Sequence, residues 1–223
     1  MAAADISVHG VLIAEMLLLV AVNDKGRVPF GSDSFVDIGL TGALLAELAI
    51  DGRLTIDADG TVRAGDTRPG DALLADAYDA VREHLEGRKA KRVIGGLSRH
   101  IGGSRKRVVD RLVEGGVLGR DRPSAFRPTR HPVRDRAARQ AVLDQVRAAA
   151  TGDGPVRPDI AVVLALTGPC RLLERVAPER GTRGEAKRIA RVTAETPFAP
   201  TVAKVVDELI AAVAATATTI AAS

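Results

Sequence analysis

Two hundred and twenty-three residues, 46% apolar and 27% charged, suffice for one large domain or two small ones, and with four Phe, the single Tyr78 and no Trp the core falls to Leu, Val, Ile and Ala. So few aromatic platforms argue against single-stranded nucleic acid read by base stacking; the lone Cys170 excludes a disulfide framework or a cysteine zinc site, and His9, His84, His100 and His131 lack metal-ligand spacing. The net charge of +4 is polarised: residues 82–139 hold 17 Lys and Arg against 6 Asp and Glu, a net of +11, and the remainder stands at −7, a distribution that points to an anionic partner.

In chain order, residues 8–22 read as a buried helix ended by the turn Asn23–Gly26, and a short extended piece at Val28 and Phe30 leads into the loop Gly31–Ser34. Leu40, Leu44, Leu45 and Leu48 recur at helical spacing and predict a helix from Gly39 to Leu54, with Gly52 as its stop. Leu54–Ile56 and Thr61–Arg63 flank Asp57–Gly60 as a hairpin. Helix follows over Ala72–Glu86, an apolar element over Val93–His100, and a strong helix over Ser104–Glu114, with Ser104 as N-cap and Gly115–Gly116 as terminator. Val117–Leu118 and Phe126–Thr129 predict a second hairpin. Helices over Arg134–Ala150 and Asp159–Thr167, around Leu172, over Glu185–Thr193 and over Thr201–Ala215 complete the chain. The expected fold is mainly α: a single globular helical domain over 1–223, with a helical core, surrounding amphipathic helices and two small β-hairpins.

The apolar run Val11–Val22 is broken by Glu15 and is shorter than the roughly 20 residues a bilayer span needs, and the N-terminus has no basic leader, so a soluble cytoplasmic chain is expected. The excess of Arg over Lys, 26 to 6, points to a GC-rich coding genome, and a bacterial source is expected. Dinucleotide, P-loop, zincin and hydrolase motifs are all missing, Asp57 and Asp59 read as turn formers, and His100 with His131 lacks a nucleophile or third partner. The expectation is a binding protein with no catalytic residue, metal or cofactor.

One constellation carries recognition chemistry. Gly102 and Gly103 precede Ser104, Arg105 and Lys106 at a helix start, where free N–H groups and a partial positive charge receive phosphates, and glycine lets an oxyanion approach the backbone. At about 100° per residue, Val108, Val109, Leu112 and Val113 centre the apolar stripe on the phase of Arg105. Arg107 and Arg111 then face outward, needing no partner beyond water. An inward arginine must find an anion, and a ligand phosphate and an internal carboxylate both satisfy it. The same order of helix, turn, basic helix and hairpin also fits a winged helix, in which the second helix enters duplex DNA; this is the competing reading.

The stretches EMLLLVAVNDKGRV (Glu15–Val28), GLTGALLAELAIDGRL (Gly39–Leu54), RVVDRLVEGGVL (Arg107–Leu118) and HPVRD (His131–Asp135), in this order, resemble the Golgi phosphoprotein 3 family. The resemblance implies a non-enzymatic, mainly helical peripheral membrane protein at the inner face of the membrane. Its expected ligands are anionic phospholipid head groups, phosphatidylinositol 4-phosphate among them, with cytoplasmic tails of membrane enzymes as protein partners and homo-oligomers left open. The family's head-group tryptophan falls here on Ser32–Asp33, one of its arginines on Thr41, and a pair of arginines three apart on Gly102 and Arg105. The expected head-group site is therefore Arg105, Lys106, Ser104, Gly102, Gly103 and Thr41. The expected membrane-facing region is about 99–130, with surface contacts from Arg99, Arg120, Arg122 and Arg127.

Overall fold

The computed structural model describes residues 10–121, 130–151, 156–177, 196 and 200–222. At its centre lies α1 (Ile13–Ala21), whose nine residues are all buried. A helix buried around its whole circumference has no solvent face, so its orphan end groups must be satisfied by protein rather than water. At its N-terminus Glu15 Oε2 accepts the Leu12 N–H at 2.8 Å, and Glu47 Oε2 accepts the Ile13 N–H at 2.5 Å. At its C-terminus the guanidinium of Arg139 donates to the Leu19 and Val22 carbonyls at 3.2 and 2.7 Å, while also pairing with Asp24. Burial of this capping cation lowers its pKa. The helix expected from Val8 starts at Ile13: Leu12 is extended, Gly10 has a φ of +114°, and Val8 and His9 lie outside the described residues.

Helix α2 (Asp33–Ile50) packs along α1 and begins six residues before the expected Gly39. Phe35 and Val36 are buried and carry the apolar stripe back through what reads locally as a loop. Gly52 ends the helix with a φ of +68°, as expected, and the Arg53 N–H reaches back to the Leu48 carbonyl at 2.7 Å. The first hairpin forms where its alternation places it, β1 (Leu54–Ile56) antiparallel to β2 (Val62–Ala64) with Leu54 opposite Ala64. Asp59, in its turn, is held by Lys89 and by both the hydroxyl and the N–H of Thr61, which bring its pKa down to about 2.

Helix α3 (Ala72–Ala80), capped by Asp71 on the Leu73 and Leu74 N–H groups, widens into a π-helical turn at Val81–Leu85 where continuous α-helix to Glu86 was expected. Then come α4 (Ala90–His100), α5 (Ser104–Glu114), α6 (Arg136–Thr151), α7 (Pro158–Thr167), α8 (Leu173–Val176) and α9 (Pro200–Ala221). α7 is buried from Ile160 to Thr167 and lies against α1, forming a second inner helix; α9 runs along α2 and α4 and extends six residues past the expected Ala215. One buried apolar cluster runs through these elements from Leu12 to Val213. The second hairpin is represented by single bridges, Leu118 to Val133 and Asp121 to Arg130. Its expected arm Phe126–Thr129, with Arg122, and the helix over Glu185–Thr193 lie outside the described residues. The fold is mainly α, as the sequence predicts.

Candidate functional site

The α4–α5 corner is made by two glycines in the left-handed region, Gly102 (φ +73°) and Gly103 (φ +98°), with the Gly103 N–H donating to the Ser98 carbonyl at 2.7 Å. Gly103, not Ser104, is the N-cap of α5. Ser104 is the first helical residue and points inward, fully buried: its Oγ lies 2.8 Å from Thr41 Oγ1, and its N–H donates to Ser98 Oγ at 3.0 Å. Thr41 Oγ1 also reaches the Asp37 carbonyl at 3.0 Å, so a chain of hydroxyls satisfies the buried polar atoms where α2 meets α5. Ser104 and Thr41 are thus joined to each other and closed to solvent.

Arg105 turns toward α2 and finds internal carboxylates. Its Nη1 is 2.7 Å from Asp33 Oδ1, its Nη2 donates to the Asp33 carbonyl at 2.6 Å, and its Nε lies 2.5 Å from Asp37 Oδ1. The Asp37 contact is a charge pair without the geometry of a directed hydrogen bond, and both of its atoms are shut from solvent. Along α5 the pattern repeats. Lys106 pairs with Asp110 at 2.8 Å and holds its carboxyl below the usual range; Asp110 also takes Arg120 at 2.6 Å. Arg107 pairs with Asp76.

Arg111 overturns its expected outward position. It reaches between α1 and α3, with Nε 3.1 Å from Glu15 Oε1 and Nη1 on Asp71. The residues of α5 that are buried are Ser104, Val108 and Leu112, whereas Val109 and Val113 are only half-buried. Weighting those two valines equally rotates the inferred stripe; the true one runs i, i+4, i+8 from Ser104, and Arg111 lies about 20° from Ser104 on it. Glu15 is almost fully buried, which raises its pKa, opposed by the Leu12 N–H and by Arg111. The Glu15–Arg111 pair and Glu114 form the polar lining of a cavity of about 490 Å³ between α1, α5 and α6, whose apolar lining includes Val11, Leu19, Leu112, Val117 and Val142.

Outside the α5 corner lies a shallower cleft of about 860 Å³, bordered by Ser98, Arg105, Lys106, Asp110, Arg120 and His131. His131 Nδ1 faces the Gly119 carbonyl at 3.2 Å and His100 stacks on His84, ring centroids 4.6 Å apart, so His100 and His131 form no shared site. The cleft therefore brings Arg105, Lys106, Gly103 and Arg120 to one wall, with aspartates among them and Ser104 buried behind it. Arg99 is exposed on α4; Arg122 and Arg127 lie outside the described residues.

A group of cations without ion pairs among the described residues sits on and just before α4. Ala90, Val93, Ile94, Gly96 and Leu97 face inward, while Lys91, Arg92 and Arg99 are exposed, with Arg88 just before the helix. None of these four cations pairs with a carboxylate among the described residues, and α4 itself carries no acidic residue; Lys91 Nζ donates to Thr219 Oγ1 at 3.3 Å. None of Arg88, Lys91 and Arg92 is among the contacts expected from the sequence, although the stretch 88–99, basic and free of acidic residues, carries the signal.

Among the described residues no cluster of His, Cys, Asp or Glu is arranged to hold a metal ion, and no helix is long and apolar enough to cross a membrane. Two inner helices ringed by others, a short hairpin and a basic outer helix define a mainly helical domain that offers an exposed cationic face. Residues 12–209 match the model of the Golgi phosphoprotein 3 (GPP34) family, and the chain belongs to that family.

Proposed function

We propose that this protein is a non-catalytic peripheral membrane protein that binds anionic phospholipid at the inner face of a membrane. The exposed cations Arg88, Lys91, Arg92 and Arg99 carry this reading: they make no ion pair among the described residues, so they are available to lipid phosphates, each worth about 1 kcal/mol near an anionic surface. Family membership supports the same class of ligand. The α5 corner is the secondary, head-group-selective element. Gly102 stands in open space before a helix N-terminus, and a phosphate arriving there meets Arg105 in competition with Asp33 and Asp37. Surface charge supplies most of the affinity and stereospecific recognition of phosphatidylinositol 4-phosphate supplies little of it.

The order α4, turn, α5, hairpin base also matches a winged helix, but Arg105, Lys106, Arg107 and Arg111 are each engaged by carboxylates, which leaves α5 poorly equipped to grip duplex DNA. Co-sedimentation with vesicles of phosphatidylcholine containing phosphatidylglycerol, phosphatidylinositol or phosphatidylinositol 4-phosphate, at low and high salt and with duplex DNA as competitor, tests the reading. Binding that follows total negative charge and weakens with salt is expected. Absence of binding to every anionic vesicle at low salt overturns it and moves attention to protein tails as the ligand, whereas ready displacement by DNA overturns it in favour of the winged-helix reading.

A further inference from the structure

Phe30 is fully exposed, and among the described residues the only other large exposed apolar side chain is Ile220. Single exposed apolar residues are ordinary on protein surfaces, but this one has three features that are not. First, it sits at the corner of a turn: the Ser32 N–H donates to the Pro29 carbonyl at 3.0 Å, and Gly31 has a φ of +76°, as the third position of a type II turn requires. Second, the backbone leading to it is fixed. Asn23 Oδ1 accepts the N–H groups of Lys25 and Arg27 at 2.9 and 3.1 Å, and the Asn23 N–H donates to the Arg27 carbonyl at 2.9 Å. Third, Lys25 and Arg27 are exposed and make no ion pair among the described residues, while the one carboxylate of the loop, Asp24, is taken by Arg139.

The loop is also placed. The Val133 N–H donates to the Asp24 carbonyl at 3.1 Å, and Gly26, at a φ of +70°, lies so close to the His131 carbonyl that a Cβ there would meet its oxygen at 2.0 Å. It therefore abuts the base of the second hairpin, at the edge of the cleft that His131 borders. An aromatic ring held outward on a stiff turn that two cations lead into is the arrangement that suits the boundary between head groups and acyl chains, where the ring leaves water while the charges stay with phosphates.

We propose that Lys25–Gly31 is a membrane-contact loop in which the Phe30 ring enters the lipid interface and Lys25 and Arg27 bind adjacent phosphates. The inference rests on the lipid reading above and goes beyond it by assigning the inserting group. Because the chain has no tryptophan, Phe30→Trp supplies a unique fluorophore, and Ile220→Trp a control at the other exposed apolar position. On phosphatidylcholine vesicles carrying phosphatidylglycerol, Trp at 30 is expected to shift to shorter wavelength and to be quenched by bromine-labelled acyl chains, and Trp at 220 is not. Phe30→Asp is expected to lower vesicle binding about tenfold, and Lys25→Gln or Arg27→Gln about fivefold each, with unchanged thermal midpoints. A wild-type protein that sediments with these vesicles while Trp at 30 stays in water, or while Phe30→Asp binds like wild type, overturns the inference and leaves the lipid reading standing. An equal response of both tryptophans marks undirected adsorption and overturns it too. A wild-type protein that fails to sediment overturns both.

Discussion

Arg105 holds Asp33 twice, through the carboxylate at 2.7 Å and through the backbone carbonyl at 2.6 Å, and so ties the first turn of α5 to the first turn of α2. With Asp37 added at 2.5 Å, the guanidinium that stands nearest the expected phosphate position is balanced by two carboxylates before any ligand arrives. Asp33 and Asp37 are about half or more exposed, so the stabilisation is modest, about 1 kcal/mol after solvent screening.

Releasing Arg105 from these partners should therefore strengthen lipid binding more than it weakens the fold. Asp33→Asn with Asp37→Asn is expected to raise affinity for phosphatidylinositol 4-phosphate vesicles several-fold, and Arg105→Gln in that background to abolish the gain. Arg105→Gln in the native background should change binding little. Vesicle titrations of the four proteins check this; a double variant that binds like wild type would show that no phosphate reaches the corner.

The α4 face gives the opposite expectation. Arg92 and Arg99 are exposed and unpaired among the described residues, so Arg92→Gln with Arg99→Gln should leave the thermal midpoint unchanged. At about 1 kcal/mol per cation, the pair should cost roughly 30-fold in affinity for anionic vesicles at low salt. The slope of affinity against salt concentration should become shallower as well. Loss of stability without loss of binding would remove α4 from the membrane face.

Arg111 belongs to the fold. Its removal leaves Glu15, almost fully buried, without its cation, and leaves Asp71 without a partner beyond the N-terminus of α3 that it caps. Arg111→Ala is expected to cost about 2–3 kcal/mol in urea denaturation, because an unpaired buried carboxylate must protonate or draw in water. Glu15→Gln in the same chain should recover part of this loss, since the amide still accepts the Leu12 N–H without carrying a charge. No recovery would mean that packing of the Arg111 stem, rather than charge, sets the cost.

These residues also mark where the sequence could be read and where it could not. The α5 helix, the Leu54–Ala64 hairpin and the Gly52 stop follow from local chemistry, each needing only spacing, a turn or a positive φ. The inward lean of Arg105 follows from helical phase as well, but phase gives a direction and not a partner. Asp33 and Asp37 lie about 70 residues away in the chain, and nothing local separates an internal carboxylate from a ligand phosphate. Serine at a helix start favours the cap, but here a glycine pair sets the turn and the Ser104 hydroxyl meets Thr41 inside. Arg111 departs from its expected outward position because Val109 and Val113, which set the sequence stripe, are only half-buried. Phe30 was legible as an apolar residue in a turn; its full exposure needed the backbone around it.

Glu47 offers a test of how the buried centre responds to pH. Its carboxylate accepts the Ile13 N–H at the end of α1, and burial pushes its pKa from 4.5 up to about 7, with the neighbouring Asp51, Asp159 and Glu15 adding to the rise against the Ile13 hydrogen bond. Between those two values the folded protein holds a proton that the unfolded chain has released, so stability falls as pH rises through the window and levels off above it. Glu15, shifted the same way, steepens the fall. Glu47→Gln keeps an acceptor for the Ile13 N–H and removes the charge. Its stability should match wild type near pH 4.5, exceed it at neutral pH and above, and fall less between. Urea denaturation across that range decides the matter: a variant with the wild-type slope, or one destabilised at every pH, would show that the ionised carboxylate strengthens the cap of α1 more than its burial opposes it.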